Sequence, residues 1–380
     1  LVGNKQYIGF VQGNYQADLT NNGSFGSVHQ FLPVIGYNSD KELLENRKRQ
    51  EQGLARLDSR MANFNDSFAL RQNAFTTDAN LVKGSITIST EAGQTPFTGG
   101  VLRTIETVKG RTIAEYSINT PQVFNWHLGS SDYQIAKGKA GNISYSILHK
   151  PTHTFNVDLY HEALKKGIDF METHFGTGSV DDQLQLIEIH HWQEDRYIFI
   201  NTIALSEKEG WVANTEGLQE KAYIYQTIGS GLAKLWLQKR LTAANVQGAD
   251  MFILGLPEAL SLQFVEEHLG EEAVGLLIKK KIDKYAKDKN NEPNSEPAPI
   301  YADGTEYMEE NKGAIALNQL QEAIGKQKFN RIVLEFVNSH QERPKVFMDL
   351  YQGLLAEVPI SKKGDLRQLF ETTAALGGYE

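Results

Sequence analysis

With no cysteine among its 380 residues, the chain has no thiolate nucleophile, no disulfide and no thiolate ligand for zinc or an iron–sulfur cluster. Any metal would have to be held by the ten histidines and the carboxylates. His190 and His191 are adjacent, but neighbours on a strand point to opposite faces, so they are read as packing or solvent-facing imidazoles rather than a shared ligand pair. His149, His153 and His161 gather where the sequence pattern changes, and interdomain hydrogen bonding is the favoured reading for them. Ser230 and Lys234 stand one helical turn apart, a spacing at which a desolvated lysine can serve as base to a serine nucleophile. Gly231 weakens that helix, and no oxyanion hole is identified for such a dyad. No H-E-x-x-H, phosphate-binding loop or G-x-G-x-x-G is present; Gly229-Ser230-Gly231 is a lone G-x-G.

These residues need elements to position them. Leu81 to Thr90, Arg111 to Ile118 and Asn142 to His149 alternate apolar and polar side chains with the period of a half-buried strand. Turn residues such as Asn21 to Ser24 and Gly93 to Gly100 separate them, so residues 1–150 predict a β-sandwich-like domain. The charged stretch from Asn38 to Asn73 interleaves acids and bases and predicts a solvated helix or meander over that sandwich. Val157, Tyr160, Leu164, Ile168, Met171 and Phe175 form one helical stripe. Gln183 to Trp192 and Arg196 to Leu205 predict two strands joined as a hairpin. Helical patterns follow over Ala222 to Leu241, Pro257 to Lys281, Glu306 to Ile324 and Lys328 to His340, with a proline-rich loop over Asn290 to Pro299. The fold class expected is α+β: an N-terminal sandwich, then over residues 151–380 a small mixed sheet with a helical bundle. A net charge of −9 argues against nucleic acid as a partner. The run Lys279-Lys280-Lys281 with Lys284, Lys287 and Lys289 is read as a solvated helix end, with attraction to anionic lipid as the alternative.

The run Thr227 to Gly248 (TIGSGLAKLWLQKRLTAANVQG) and the following ADMFILGLPEALSL to Leu262 resemble the metal-binding segment of the gluzincin aminopeptidases, the family of membrane alanyl aminopeptidases and leukotriene hydrolases. More narrowly they are similar to the branch fused to ABC-type transporter permeases, which reads H-E-L-A-H-Q-W-W, then A-N-V-Q-G-A, then M-L-S-E-x-L-A. Phe31 to Asn38, His149 to Phe175, Phe199 to Glu207 and Glu310 to Phe336 resemble further segments of the same branch, so the likeness covers nearly the whole chain. It implies a thermolysin-like second domain.

The departures from the family pattern set the functional expectation. Ser230 stands where the family has its first zinc-binding His, Gly231 where it has the general-base Glu, and Lys234 where it has the second His. The third ligand falls at Leu254, or at Ile253 with a one-residue slip, and the oxyanion-stabilising Tyr falls at Glu310. The resemblance thus implies zinc for the family but no ligands, no cofactor and no catalytic residues here. A hydrolytic zinc needs three protein ligands and an open position, whereas a cation at Lys234 repels a metal and Leu254 fills the volume of a carboxylate. Glu207 lies where relatives hold a substrate's free amine, although Lys208-Glu209-Gly210 depart from their pattern. The expectation is a catalytically inactive, aminopeptidase-like module that binds a peptide or partner segment in a groove between the Phe199–Glu207 strand and the Ser230 helix. By the same resemblance it belongs to a membrane-anchored chain carrying a transporter permease, as a soluble extracytoplasmic domain. Leu1 and the end at Gly377 to Glu380 are read as cuts from a longer protein. An active metallo-aminopeptidase with atypical ligands and a structural spacer with a filled cleft are the alternatives.

Overall fold

Period-two burial produces the strands of the first half. On β6 (Arg111–Gln122) the alternate residues Thr112, Ala114, Tyr116 and Ile118 are buried while Glu115 is exposed, and the strand pairs antiparallel with β3 (Val82–Glu91) on one side and β5 (Val101–Val108) on the other. The computed structural model describes residues 19–20, 23–27, 43–75, 81–123, 126–176, 178, 182–190, 196–292, 294–340 and 343–374. A second sheet orders β1 (Leu19–Thr20), β2 (Gly23–Ser27), β7 (His127–Ser131) and β4 (Thr95–Thr98) as β1-β2-β7-β4. The third is mixed, with β8 (Gln134–Ala140), β9 (Ile143–His149), β10 (Gln183–Ile189), β11 (Arg196–Phe199) and β12 (Thr202–Ser206) in the order β11-β12-β10-β9-β8. In it β9, β10 and β12 run parallel, and β8 and β11 run antiparallel at the edges. Phe25, Phe97, Leu148, Ile187, Ile189, Tyr197, Phe199 and Ala204 close one core beneath these strands.

The protein is therefore a mixed α and β chain with small sheets, and it resolves into two compact units. The first comprises Leu1–Ile35, Asp78–Asp169 and Gly178–Ile224; the second comprises Gly36–Thr77, Phe170–Thr177 and Tyr225–Glu380. These units do not coincide with the segments 1–150 and 151–380 read from the sequence. The mixed sheet draws strands from both sides of residue 150 into the first unit, because β9 pairs with both β8 and β10. The chain crosses from one unit to the other inside helix α2 (Val157–Phe175) and inside helix α3 (Leu218–Arg240).

The second unit is helical. After α1 (Asn46–Glu51) it contains most of α3, then α4 (Leu256–Leu269), α5 (Glu271–Lys289), α6 (Ala314–Ile324), α7 (Lys326–Asn338), α8 (Phe347–Ala356) and α9 (Ile360–Glu371). Two π-helical turns, Met251–Gly255 and Met308–Gly313, lead into α4 and α6. Both pack on the thioether of Met251: a Cβ built on Gly313 would lie 2.7 Å from its Sδ, and one on Gly255 would lie 3.1 Å from its Cε. Trp236, Phe252 and Phe264 are fully buried, each worth roughly 1.5–3 kcal/mol of burial.

Four expectations are corrected here. The segment Arg196 to Leu205 is two antiparallel strands turning at Asn201, which takes a left-handed φ of 55°. The hairpin is thus β11–β12, while β10 pairs with β12 in parallel; His191 and the polar gap Gln193 to Asp195 lie outside the described residues. The helix expected over Pro257 to Lys281 breaks at Gly270, whose φ of 85° ends α4 and starts α5. Gly93 to Gly100, read as a turn cluster, contains strand β4. The charged stretch expected over the sandwich belongs to the helical unit, where residues 43–75 are hydrogen-bonded to segments near 245, 294 and 303.

Candidate functional site

Ser230 lies on α3 between Ile228 and Leu232, both buried, and is itself 3% exposed. The preceding Gly229 lets α3 and α4 approach closely, since a Cβ there would stand 2.8 Å from Phe264 Cδ1 and 3.3 Å from Ser261 Cα. That crossing brings Ser230 to Glu258 of α4. The serine hydroxyl donates to Glu258 Oε1 at 2.6 Å, and Gln226 Nε2 donates to Oε2 at 2.8 Å. Lys281 of α5 completes the set, its Nζ donating to Glu258 Oε2 at 2.8 Å and to the carbonyl oxygen of Glu310, in the second π turn, at 2.9 Å. The side chains of Lys281 and Glu258 are 9% and 6% exposed. A charge pair at that depth costs desolvation, which is offset only when the remaining lone pairs and protons are also satisfied. Here both carboxylate oxygens have donors and the ammonium has two acceptors.

Several readings change on this geometry. The Ser230 hydroxyl donates its hydrogen bond to Glu258 rather than to Lys234, so the Ser–Lys dyad is not formed. Lys281, read as part of a solvated basic run, is buried, whereas Lys279 and Lys280 are exposed. Lys234 is half-buried, and its charge acts on Asp250. The Asp250 carboxyl is pushed up to about 6 by burial and by Asp303, with Lys234 opposing. Beside it Glu309 is fully buried: Oε1 accepts from the backbone N–H groups of Gly304 and Thr305 at 3.1 and 3.0 Å, while Oε2 has no hydrogen-bond partner. Burial, and then the charges of Asp250 and Asp303, hold Glu309 well above the usual carboxylate range. Leu254 is half-buried in the first π turn. Glu310 borders an open cavity of about 470 Å³ that is also lined by Glu45, Arg60, Lys284, Glu292 and Tyr307, and its carboxylate lies 3.7 Å from Lys284 Nζ.

The structure thus brings Ser230 and Glu310 into one network through Glu258 and Lys281, neither of which sequence reasoning singled out for it. The available signal was a lone charge in an apolar run: every residue of α4 from Leu256 to Val265 is buried, so Glu258 had to find a buried partner. The three positions that the resemblance gives to zinc ligands, Ser230, Lys234 and Leu254, offer a committed hydroxyl, an ammonium and a leucine, a donor set that does not fit zinc. Among the described residues no group of three or more His, Asp or Glu is arranged to hold a metal ion.

In the first unit, polar side chains collect at the carboxyl ends of β9 and β10. Glu188, 1% exposed, accepts from the Lys150 N–H at 2.8 Å and pairs with His153 Nδ1. Burial raises Glu188 despite these donors. Lys150 Nζ donates to Ser131 Oγ at 2.6 Å and to Asp132 Oδ1 at 2.8 Å. His149 contacts the Lys150 carbonyl and His161 contacts Tyr145, so the three histidines read as interdomain are hydrogen-bonded within one unit. His190 is buried at the end of β10. Glu207 follows β12 and anchors its backbone N–H on the Ile189 carbonyl at 2.7 Å. No helix among the described residues is long and apolar enough to cross a membrane. The chain matches no protein-family model and no curated protein.

Proposed function

We propose that the chain is a gluzincin-aminopeptidase-like module, sandwich plus thermolysin-like domain, without hydrolase chemistry. In this reading it binds a peptide or partner segment within a membrane-anchored, transporter-type protein on the extracytoplasmic side. The observation that carries it is the bridge made by Lys281. In a zinc enzyme of this type the Ser230 position would ligate the metal and the Glu310 position would carry the oxyanion-stabilising Tyr; here a buried ammonium links Glu258, the partner of Ser230, to the Glu310 carbonyl. A single positive charge with no open coordination position supplies cohesion but neither an acidified water nor a polarised carbonyl. The cavity beside Glu310 is one opening in the helical unit in which this reading seats the ligand. Calorimetric titration with short unblocked peptides tests the reading. Saturable binding with the peptides recovered intact is expected. Cleaved peptide would favour the metallo-aminopeptidase alternative, and no binding at any concentration would favour a spacer.

A further inference from the structure

Residues 43–75 hold to the helical unit in two different ways. From Ala62 onward the attachment is apolar and backbone-paired. Ala62, Phe64, Ala69 and Leu70 pack with Ala244, Val246, Val346 and Met348, and Gln247, Asn245 and Ala74 exchange backbone hydrogen bonds across that contact. From residue 43 to Arg60 no residue is buried, helix α1 included. Polar contacts tie that half to the rest of the unit. Asn294 accepts from the Asn46 N–H at 3.2 Å and donates to the Leu44 carbonyl at 3.1 Å. The Ser59 hydroxyl and the Arg60 N–H donate to Asp303 Oδ2 at 3.2 and 3.0 Å. The Arg60 guanidinium forks, Nη1 to Thr305 Oγ1 at 2.6 Å and Nη2 to Glu292 Oε1 at 2.7 Å, with the two ion-pair side chains 19% and 9% exposed. A segment with no buried residue opens at low cost, and a planar fork with two fixed acceptors selects guanidinium over ammonium.

We propose that residues 43–60 are a strap hinged near Ala62 and latched by Arg60, and that Thr305 and Glu292 form a guanidinium socket which the chain fills with its own arginine until a partner segment presents another. The socket is reachable because Arg60, Glu292 and Thr305 line the open cavity beside Glu310, so an incoming side chain needs no path through the core. Strap and socket lie in the same compact unit, and the inference stands whether or not the chain is aminopeptidase-like.

Limited proteolysis of the full chain with a glutamate-specific protease, which cuts after Glu45 and Glu51, tests it. Arg60→Ala is expected to raise the rate of those cuts about tenfold or more through the loss of charge-assisted hydrogen bonds, with cuts elsewhere in the helical unit no faster. In the parent chain, N-acetyl-arginine amide at millimolar concentration is expected to compete with Arg60 and speed the same cuts, and N-acetyl-lysine amide to leave the rate unchanged. Strap cleavage at the wild-type rate, or equal effects of the two amides, would overturn the proposal. Should Arg60→Ala fail to fold by circular dichroism, Glu292→Gln keeps the arginine and weakens one prong. It is expected to speed the same cuts, and an unchanged rate would overturn the proposal equally.

Discussion

Replacing Lys281 by methionine leaves the buried Glu258 carboxylate with Ser230 and Gln226 but without the Lys281 ammonium. Removing one partner of a buried ion pair costs about 3–5 kcal/mol, because the remaining charge stays desolvated. The Glu310 carbonyl also loses its ammonium donor, which adds a smaller term of about 1 kcal/mol. For a unit of this size each kcal/mol lowers the midpoint by roughly 2–4 °C, so Lys281→Met is expected to melt at least about 6 °C below the parent. The double variant Lys281→Met with Glu258→Gln removes both charges while keeping groups that Ser230 and Gln226 can meet, and should recover most of the loss. The assay is denaturation followed by circular dichroism on the parent, both single variants and the double. A coupling energy of about 2 kcal/mol or more is expected from that cycle. Additive single effects, or a loss below about 1 kcal/mol for Lys281→Met, would refute the view that this bridge holds the helical unit together.

Asp250 titrates near 6 in the folded chain because it is buried, against 3.8 unperturbed. Its folded value is raised, so its contribution to stability is complete below pH 4 and is lost as pH rises through 6. Asp250→Asn should therefore be neutral near pH 4 and stabilising by up to about 3 kcal/mol at pH 8, checked by denaturation at both pH values. Gly229→Ala places a methyl group 2.8 Å from Phe264 Cδ1, and is expected to lose about 1–3 kcal/mol in the same denaturation assay although alanine is the better helix former. A fluorophosphonate probe should leave Ser230 unlabelled in the folded chain, since the hydroxyl is buried and donated to Glu258; mass spectrometry of the tryptic peptide checks this.

The elements legible in the sequence were those whose own pattern decides them. The period-two runs ending at Thr90 and His149 and the stripe from Tyr160 to Phe175 became β3, β9 and α2. Where one backbone conformation divides a continuous pattern, reading failed: Asn201 and Gly270 each split a run that hydropathy alone leaves whole. The site was half legible. The positions Ser230, Lys234, Leu254 and Glu310 were named through the family resemblance, but their partners depend on tertiary contact. Lys281 meets Glu258 across 23 residues of chain, and Arg60 meets Asp303 across 243. Nothing local distinguishes Lys281 from Lys280 until α4 is laid beside α5, nor the Asn- and Arg-rich stretch from a solvated meander until its attachment is seen.

In the proposed gluzincin-like reading, a closed hydrogen-bonded network stands where a hydrolase would hold its metal. Equilibrium dialysis of the chain against micromolar zinc, read by elemental analysis, tests it most directly. The account predicts less than about one-tenth of an equivalent retained after exchange into zinc-free buffer, and the same value for Lys281→Met, because removing the ammonium restores no imidazole or carboxylate at positions 230, 234 or 254. One equivalent of zinc retained by the parent chain would contradict it.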